Sequence, residues 1–199
     1  PAVLSVDGIV DMVSDGMTVV VDGCDGICIL DPSQEEVDEY QAKREKYLSD
    51  KALLEVYRGK DTVTADGVKV HLYGNIGNPE DAKQVAACDG EGVGLFRTEF
   101  LFMGASELPS EEEQFQAYKA AAETMEGREV IIRTLDVGGD KDIPYLGLEK
   151  EDNPFLGFRA VRYCLQNKDS YRVQLRALLR ASAFGAVSYT HLRAHATSQ

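Results

Sequence analysis

A chain of 199 residues, 44% hydrophobic and 28% charged, carries enough apolar material for a packed core and too mixed a charge pattern for disorder. Its net charge of -13 excludes the basic surface that nucleic-acid binding needs. With no membrane-length apolar run and no leader pattern, it reads as cytoplasmic with reduced thiols.

Residues 1–32 are short apolar runs broken by Gly and Asp, VVVDG and GICIL, joined at DGCDG as in a hairpin. They predict the end of a domain whose body lies upstream. Cys24 and Cys28 flank this turn, and with Cys88 and Cys164 they lack the paired spacing and nearby histidine of a metal site. Residues 33–60 predict a linker helix. Ser33 and Glu36 form a capping box, and Val37, Tyr40, Tyr47, Leu48, Leu54 and Tyr57 recur at helical spacing. The dissimilar compositions on either side favour an interdomain connector over a plain core helix.

From residue 61 the pattern alternates strand and helix. KVHLYGNI (69–76) reads as a strand, and Asn78-Pro79-Glu80 opens a helix through Val85 and Ala87. GVGLF is a second strand, and Ser110 with Glu113 caps a helix running to about Met125. EVIIRTLDV is a third. The connection GGDKDIPYLGLEKEDNPFLGFR exceeds an ordinary strand-to-helix loop, and such excess usually serves a site. Asn153-Pro154 opens a helix through Arg162 and Cys164, and Tyr171 to Ala183 reads as another. Repeated units of this kind imply a parallel sheet, with a (β/α)8 barrel of the TIM type as the leading arrangement. Residues 61–186 are too few for a complete one, so the expected class is α/β with a partial barrel.

Two apolar runs end alike. EGVGLFRTEF places Arg97, Thr98 and Glu99 after one strand, and EVIIRTLD places Arg133, Thr134 and Asp136 after the next. The two arginines would then face one end of the sheet, and their planar forks suit a phosphate or carboxylate. The competing reading is a structural salt bridge to Glu99 or Asp136. Arg159 in GFRAVR is a third candidate, with a plain helix-surface arginine as its alternative. Asp140 and Lys141 could order their loop or touch a ligand. Residues 187–199, VSYTHLRAHATSQ, break the periodicity and read as a non-native tail resembling translated adapter sequence. His191 and His195 within it lack a third ligand for a metal, and His71 sits inside a predicted strand.

Taken in order, GNIG, EGVGLFRTEFLFM, EEEQFQAYK, RTLDVGGDK, NPFLGFRAVR and LRALLRASAFG resemble the phosphoenolpyruvate-protein phosphotransferases, Enzyme I of the bacterial sugar phosphotransferase system. Pyruvate phosphate dikinase and phosphoenolpyruvate synthase share some of these motifs and are the alternatives, with a non-catalytic phosphoenolpyruvate-sensing or dimerisation module as a third. The resemblance implies a swivelling phosphohistidine domain ending near residue 32, a linker helix and a phosphoenolpyruvate-binding barrel. It also implies Mg2+, transfer of the phosphoryl group to a histidine and on to the phosphocarrier HPr, and a homodimer of the intact protein. On this pattern Arg97, Arg133 and Arg159 bind substrate. The family's phosphorylated histidine lies upstream of the segment that begins at PAV, and its metal carboxylates and catalytic cysteine lie in later strands. None of the four cysteines matches that cysteine, so a truncated and inactive fragment is expected, with no catalytic or metal residue of its own.

Overall fold

The computed structural model describes residues 2–138 and 143–191. The chain divides into two compact units, Pro1–Arg58 and Gly59–Gln199. In the first, a short helix α1 (Ile9–Met12) precedes an antiparallel hairpin of β1 (Val19–Asp22) and β2 (Ile27–Leu30), paired from Val19↔Leu30 to Asp22↔Ile27. Asp22 closes the turn by accepting from the amides of Cys24 (2.9 Å) and Asp25 (3.1 Å). Helix α2 (Gln34–Leu53) follows, and the expected capping box is present: Ser33 Oγ accepts from Glu36 N, and Glu36 accepts from Ser33 N at 2.8 Å. Lys43 of α2 reaches back to Asp22 and to Asp25 at 2.5 Å, seating the helix on the turn. The helix ends earlier than its period suggests, because Leu54–Tyr57 tightens into a 3-10 turn. No residue of α2 is buried, and Tyr47, Leu48, Leu54 and Tyr57 are exposed. Four-residue strands cannot cover a 20-residue helix.

The second unit is mixed α/β, as the alternating pattern predicts. Its parallel sheet runs in the order β3 (Tyr73–Ile76), β4 (Gly92–Arg97), β5 (Glu129–Arg133), β6 (Val187–Thr190). Between strands lie α3 (Asp81–Ala87), α4 (Glu99–Met103), α5 (Glu111–Thr124), α6 (Val161–Gln166) and α7 (Lys168–Ala181). Ser110 and Glu113 form the expected capping box on α5. The core forms where Ile76, Val93, Phe96, Val130 and Ile132 of the sheet meet Phe115, Tyr118, Ala121, Ala177, Leu178 and Ala181. Phe96 meets Tyr118 edge-on, with ring centroids 5.8 Å apart. A smaller cluster of Phe102, Leu135, Val137, Ile143, Tyr163 and Cys164 lies past the C-terminal ends of β4 and β5.

Three local readings change, and one helix that the pattern did not announce is added. Residues 69–72 are not in the parallel sheet; Val63 and Lys69 bridge antiparallel about Gly67, whose φ of +87° suits the turn. The run after Arg97 turns helical at once as α4, because Thr98 takes αR geometry. Asn153-Pro154 opens turns rather than a helix, and α6 starts only at Val161. Finally, Val187–Thr190, expected to be tail, forms a fourth strand paired with β5 from Val130↔Val187 to Arg133↔Thr190. Four residues are too few for a strand period to stand out in sequence. His195 lies outside the described residues.

Two predictions follow from this packing. At Gly74 an added Cβ would lie 2.3 Å from Val85 Cγ2, so this glycine lets α3 approach β3 closely. Gly74→Ala should lower stability in urea by roughly 1–3 kcal/mol, and adding Val85→Ala should recover part of the loss. Unchanged stability would contradict this seating. Burial pushes the Cys164 thiol up to about 11, so the folded state holds a proton that the unfolded chain gives up near the ordinary value of 9.0. Stability should therefore be full below pH 9.0 and fall by about 2–3 kcal/mol toward pH 11. Thermal melts of Cys164→Ala across that window should show a shallower decline.

Candidate functional site

The strands place the two arginines side by side. Arg97 closes β4, Arg133 closes β5, and they are direct partners in the parallel ladder. Adjacent strands lie about 4.8 Å apart, so the side chains start from neighbouring positions. Their surroundings differ. Arg97 is exposed, with its guanidinium 4.9 Å from the ring centre of Phe100. Among the described residues no carboxylate is within ion-pair distance of it. Arg133 is only 12% exposed and is held by Glu99 and by Asp136 at 3.2 Å.

Arg159 completes the cluster. Its Nε and Nη2 both lie 3.0 Å from Asp136 Oδ1, and the ring of Phe155 stacks 5.1 Å from its guanidinium. The structure therefore joins Arg133 and Arg159 through a shared Asp136, while Arg97 stands at the open edge. The salt-bridge reading holds for Arg133, and Arg159 shares its Asp136. Two fixed carboxylates hold two guanidinium groups in place, and Arg97 has no carboxylate within ion-pair distance among the described residues. Arg159 is a buried member of the site, not a helix-surface residue.

Local backbone sets these positions. The Ala160 N–H donates to Val137 O at 3.1 Å, tying the loop that carries Arg159 to the segment that carries Asp136. Ala160 itself adopts φ 49° and ψ -123°, a conformation costly to a residue with a Cβ and typical of sites where surrounding structure overrides local preference. Arg162 caps the same loop by donating to Leu156 O and Gly157 O at 2.6 and 2.7 Å. On the other side, the Gly77 and Asn78 amides donate to Asp81 at 2.9 and 3.2 Å. The Gly77 hydrogen bond is the main cause holding the Asp81 carboxyl below its ordinary range, with a smaller contribution from the charge of Arg97.

Sequence reading missed the buried polar chain beneath the arginines. Thr98 Oγ1 donates to Arg133 O at 2.8 Å, and Gln174 of α7 bonds to Thr98, Tyr118 and the Leu135 amide. A glutamine on the buried stripe Gln174, Ala177, Leu178, Ala181 was the available signal. Asp140 and Lys141 lie outside the described residues. No three His, Cys, Asp or Glu side chains converge as a metal set among the described residues. No helix among them is long and apolar enough to cross a membrane.

Comparison with known proteins gives the family. Residues 51–190 match the family model described as PEP-utilising enzyme, PEP-binding domain. The chain is 52% identical over 188 residues to a phosphoenolpyruvate-protein phosphotransferase of Staphylococcus carnosus, covering 94% of this chain and 33% of that protein. It is 54% identical over 185 residues to that of Priestia megaterium and 52% identical over 185 residues to that of Bacillus subtilis, covering 93% of this chain and 32% of each relative. The chain thus spans about a third of the length of the curated relatives it matches. With more than half its residues inside the family model, the chain belongs to the PEP-utilising enzymes, through their PEP-binding domain.

Proposed function

We propose that this chain supplies the phosphate grip of a phosphoenolpyruvate-protein phosphotransferase. The observation that carries the reading is the ladder pairing of Arg97 with Arg133 at the C-terminal ends of adjacent parallel strands. Active residues gather at that end of (β/α)8 barrels, and the four-stranded sheet is read here as part of one. Arg97, exposed and without a carboxylate partner among the described residues, meets the phosphoryl oxygens first. Arg133 and Arg159 hold fixed positive charge behind it. Phosphoryl transfer relies on positioning and electrostatic stabilisation, which such a cluster provides to the phosphate of phosphoenolpyruvate.

In this reading the swivelling phosphohistidine domain, for which residues 1–32 would be the end and residues 33–60 the linker, brings a histidine to the phosphate. The group then passes to HPr, and the intact protein works as a cytoplasmic homodimer in sugar uptake. Mg2+ would neutralise phosphate charge. The described residues do not fit that ion by themselves, since Glu99 and Asp136, the two buried carboxylates, already accept from arginines. Its ligands would come from elsewhere in the longer protein.

Two outcomes test this. Residues 1–186 should function when they replace the corresponding segment of the Staphylococcus carnosus relative. In that chimaera Arg97→Ala or Arg133→Ala should cut phosphorylation by phosphoenolpyruvate at least about 100-fold while largely sparing reverse transfer from phospho-HPr. Forward rates like those of the unsubstituted chimaera in both variants would refute the assignment. The 199-residue chain alone should take up no labelled phosphate from phosphoenolpyruvate and Mg2+. Incorporated label would show that His71, His191 or His195 accepts it.

A further inference from the structure

We infer that Gln174 is a positioning residue for the arginine site, an inference that rests on the phosphoenolpyruvate reading above. Gln174 lies on α7, is 2% exposed and touches neither arginine side chain directly. Its amide nevertheless spans both strand-to-loop junctions from which the arginines project. Gln174 Oε1 accepts from Leu135 N at 2.9 Å, two residues beyond Arg133. Gln174 Nε2 donates to Thr98 Oγ1 at 3.3 Å, one residue beyond Arg97. Thr98 Oγ1 in turn donates to Arg133 O at 2.8 Å and closes the loop between the two junctions. The second Nε2 hydrogen goes to Tyr118 Oη at 3.2 Å, which donates onward to Gln114 Oε1, so every hydroxyl has one donor role and one acceptor role.

This location is where the strand ladder stops. The paired register of β4 and β5 ends at Arg97 and Arg133, so the next backbone groups need partners from elsewhere. A primary amide alone among uncharged side chains of this length offers both an acceptor for Leu135 and donors for Thr98. An apolar residue of equal size would fill the space, leave the Leu135 amide without an acceptor in a dry interior, and cut the link from α7 to Thr98. The junctions would then slide relative to each other, and the guanidinium separation would no longer match a phosphate.

Arginine-selective 15N–1H spectra of the chain test this, first without ligand and then with phosphoenolpyruvate. In Gln174→Met the Arg133 Nε resonance should move or broaden before any ligand is added. Phosphoenolpyruvate affinity should fall by at least about tenfold. Thr98→Val should behave like Gln174→Met, and Thr98→Ser, which keeps the hydroxyl, like the original chain. Val130→Ala truncates a core residue of the same strand away from this network, and should destabilise without moving the Arg133 signal or the affinity. Superposable Arg133 signals in Gln174→Met and the original chain, or an equal affinity loss in Val130→Ala, would overturn the inference. If Gln174→Met does not fold, the Thr98 pair decides by the same criteria. An original chain that fails to bind phosphoenolpyruvate would sink the functional reading, while the ligand-free spectra would still decide the role of Gln174.

Discussion

The lateral register of β4 and β5 at their last residues is the constraint on which the rest depends. It sets Arg97 beside Arg133 and brings two like charges to neighbouring strand positions. That arrangement is unfavourable until other groups answer it. Glu99, the first residue of α4, and Asp136, three residues past Arg133, do so by pairing with Arg133. Asp136 also recruits Arg159 from a distant loop. The cluster thus draws on three separate segments, and each must be held in place by its own backbone.

Burying such pairs is not a route to stability for its own sake. Desolvating Glu99, Asp136 and Arg159 costs several kcal/mol per ion by general estimates, which ion pairing only offsets. Ala160 adds strain in the adjacent peptide. These costs are met by the apolar core below, where Phe96, Tyr118, Ile132, Ala121, Ala177 and Ala181 pack without exposure. In a protein of net charge -13, an anion is held only where donors are fixed locally. In the layout, a dry, well-packed lower layer carries a polar chain, and the polar chain carries the segments that bear Arg97 and Arg133.

Much of this was legible in sequence because it is local. The capping boxes at Ser33 and Ser110 depend on residues three apart, and both formed. The repeated RT-acid endings placed both arginines at strand termini. What escaped depends on partners far along the chain. Nothing near Gln174 in sequence announces that it meets Thr98, 76 residues away. Strand β6 was read as tail because its four residues hold no period, yet β5 gives them a template. Asn153-Pro154 looked like a helix start, but the Arg162 caps on Leu156 and Gly157 and the geometry of Ala160 delay α6 to Val161.

The proposed function joins the family assignment to the cluster by making phosphoenolpyruvate its ligand, and that proposal rests on a single placement of one anion. A crystal structure of this chain with phosphoenolpyruvate measures that placement most directly. The account predicts phosphate oxygens within hydrogen-bond distance of the guanidinium groups of both Arg97 and Arg133, with the Asp136 to Arg159 pair intact. Phosphoenolpyruvate bound with its phosphate away from both arginines would contradict it.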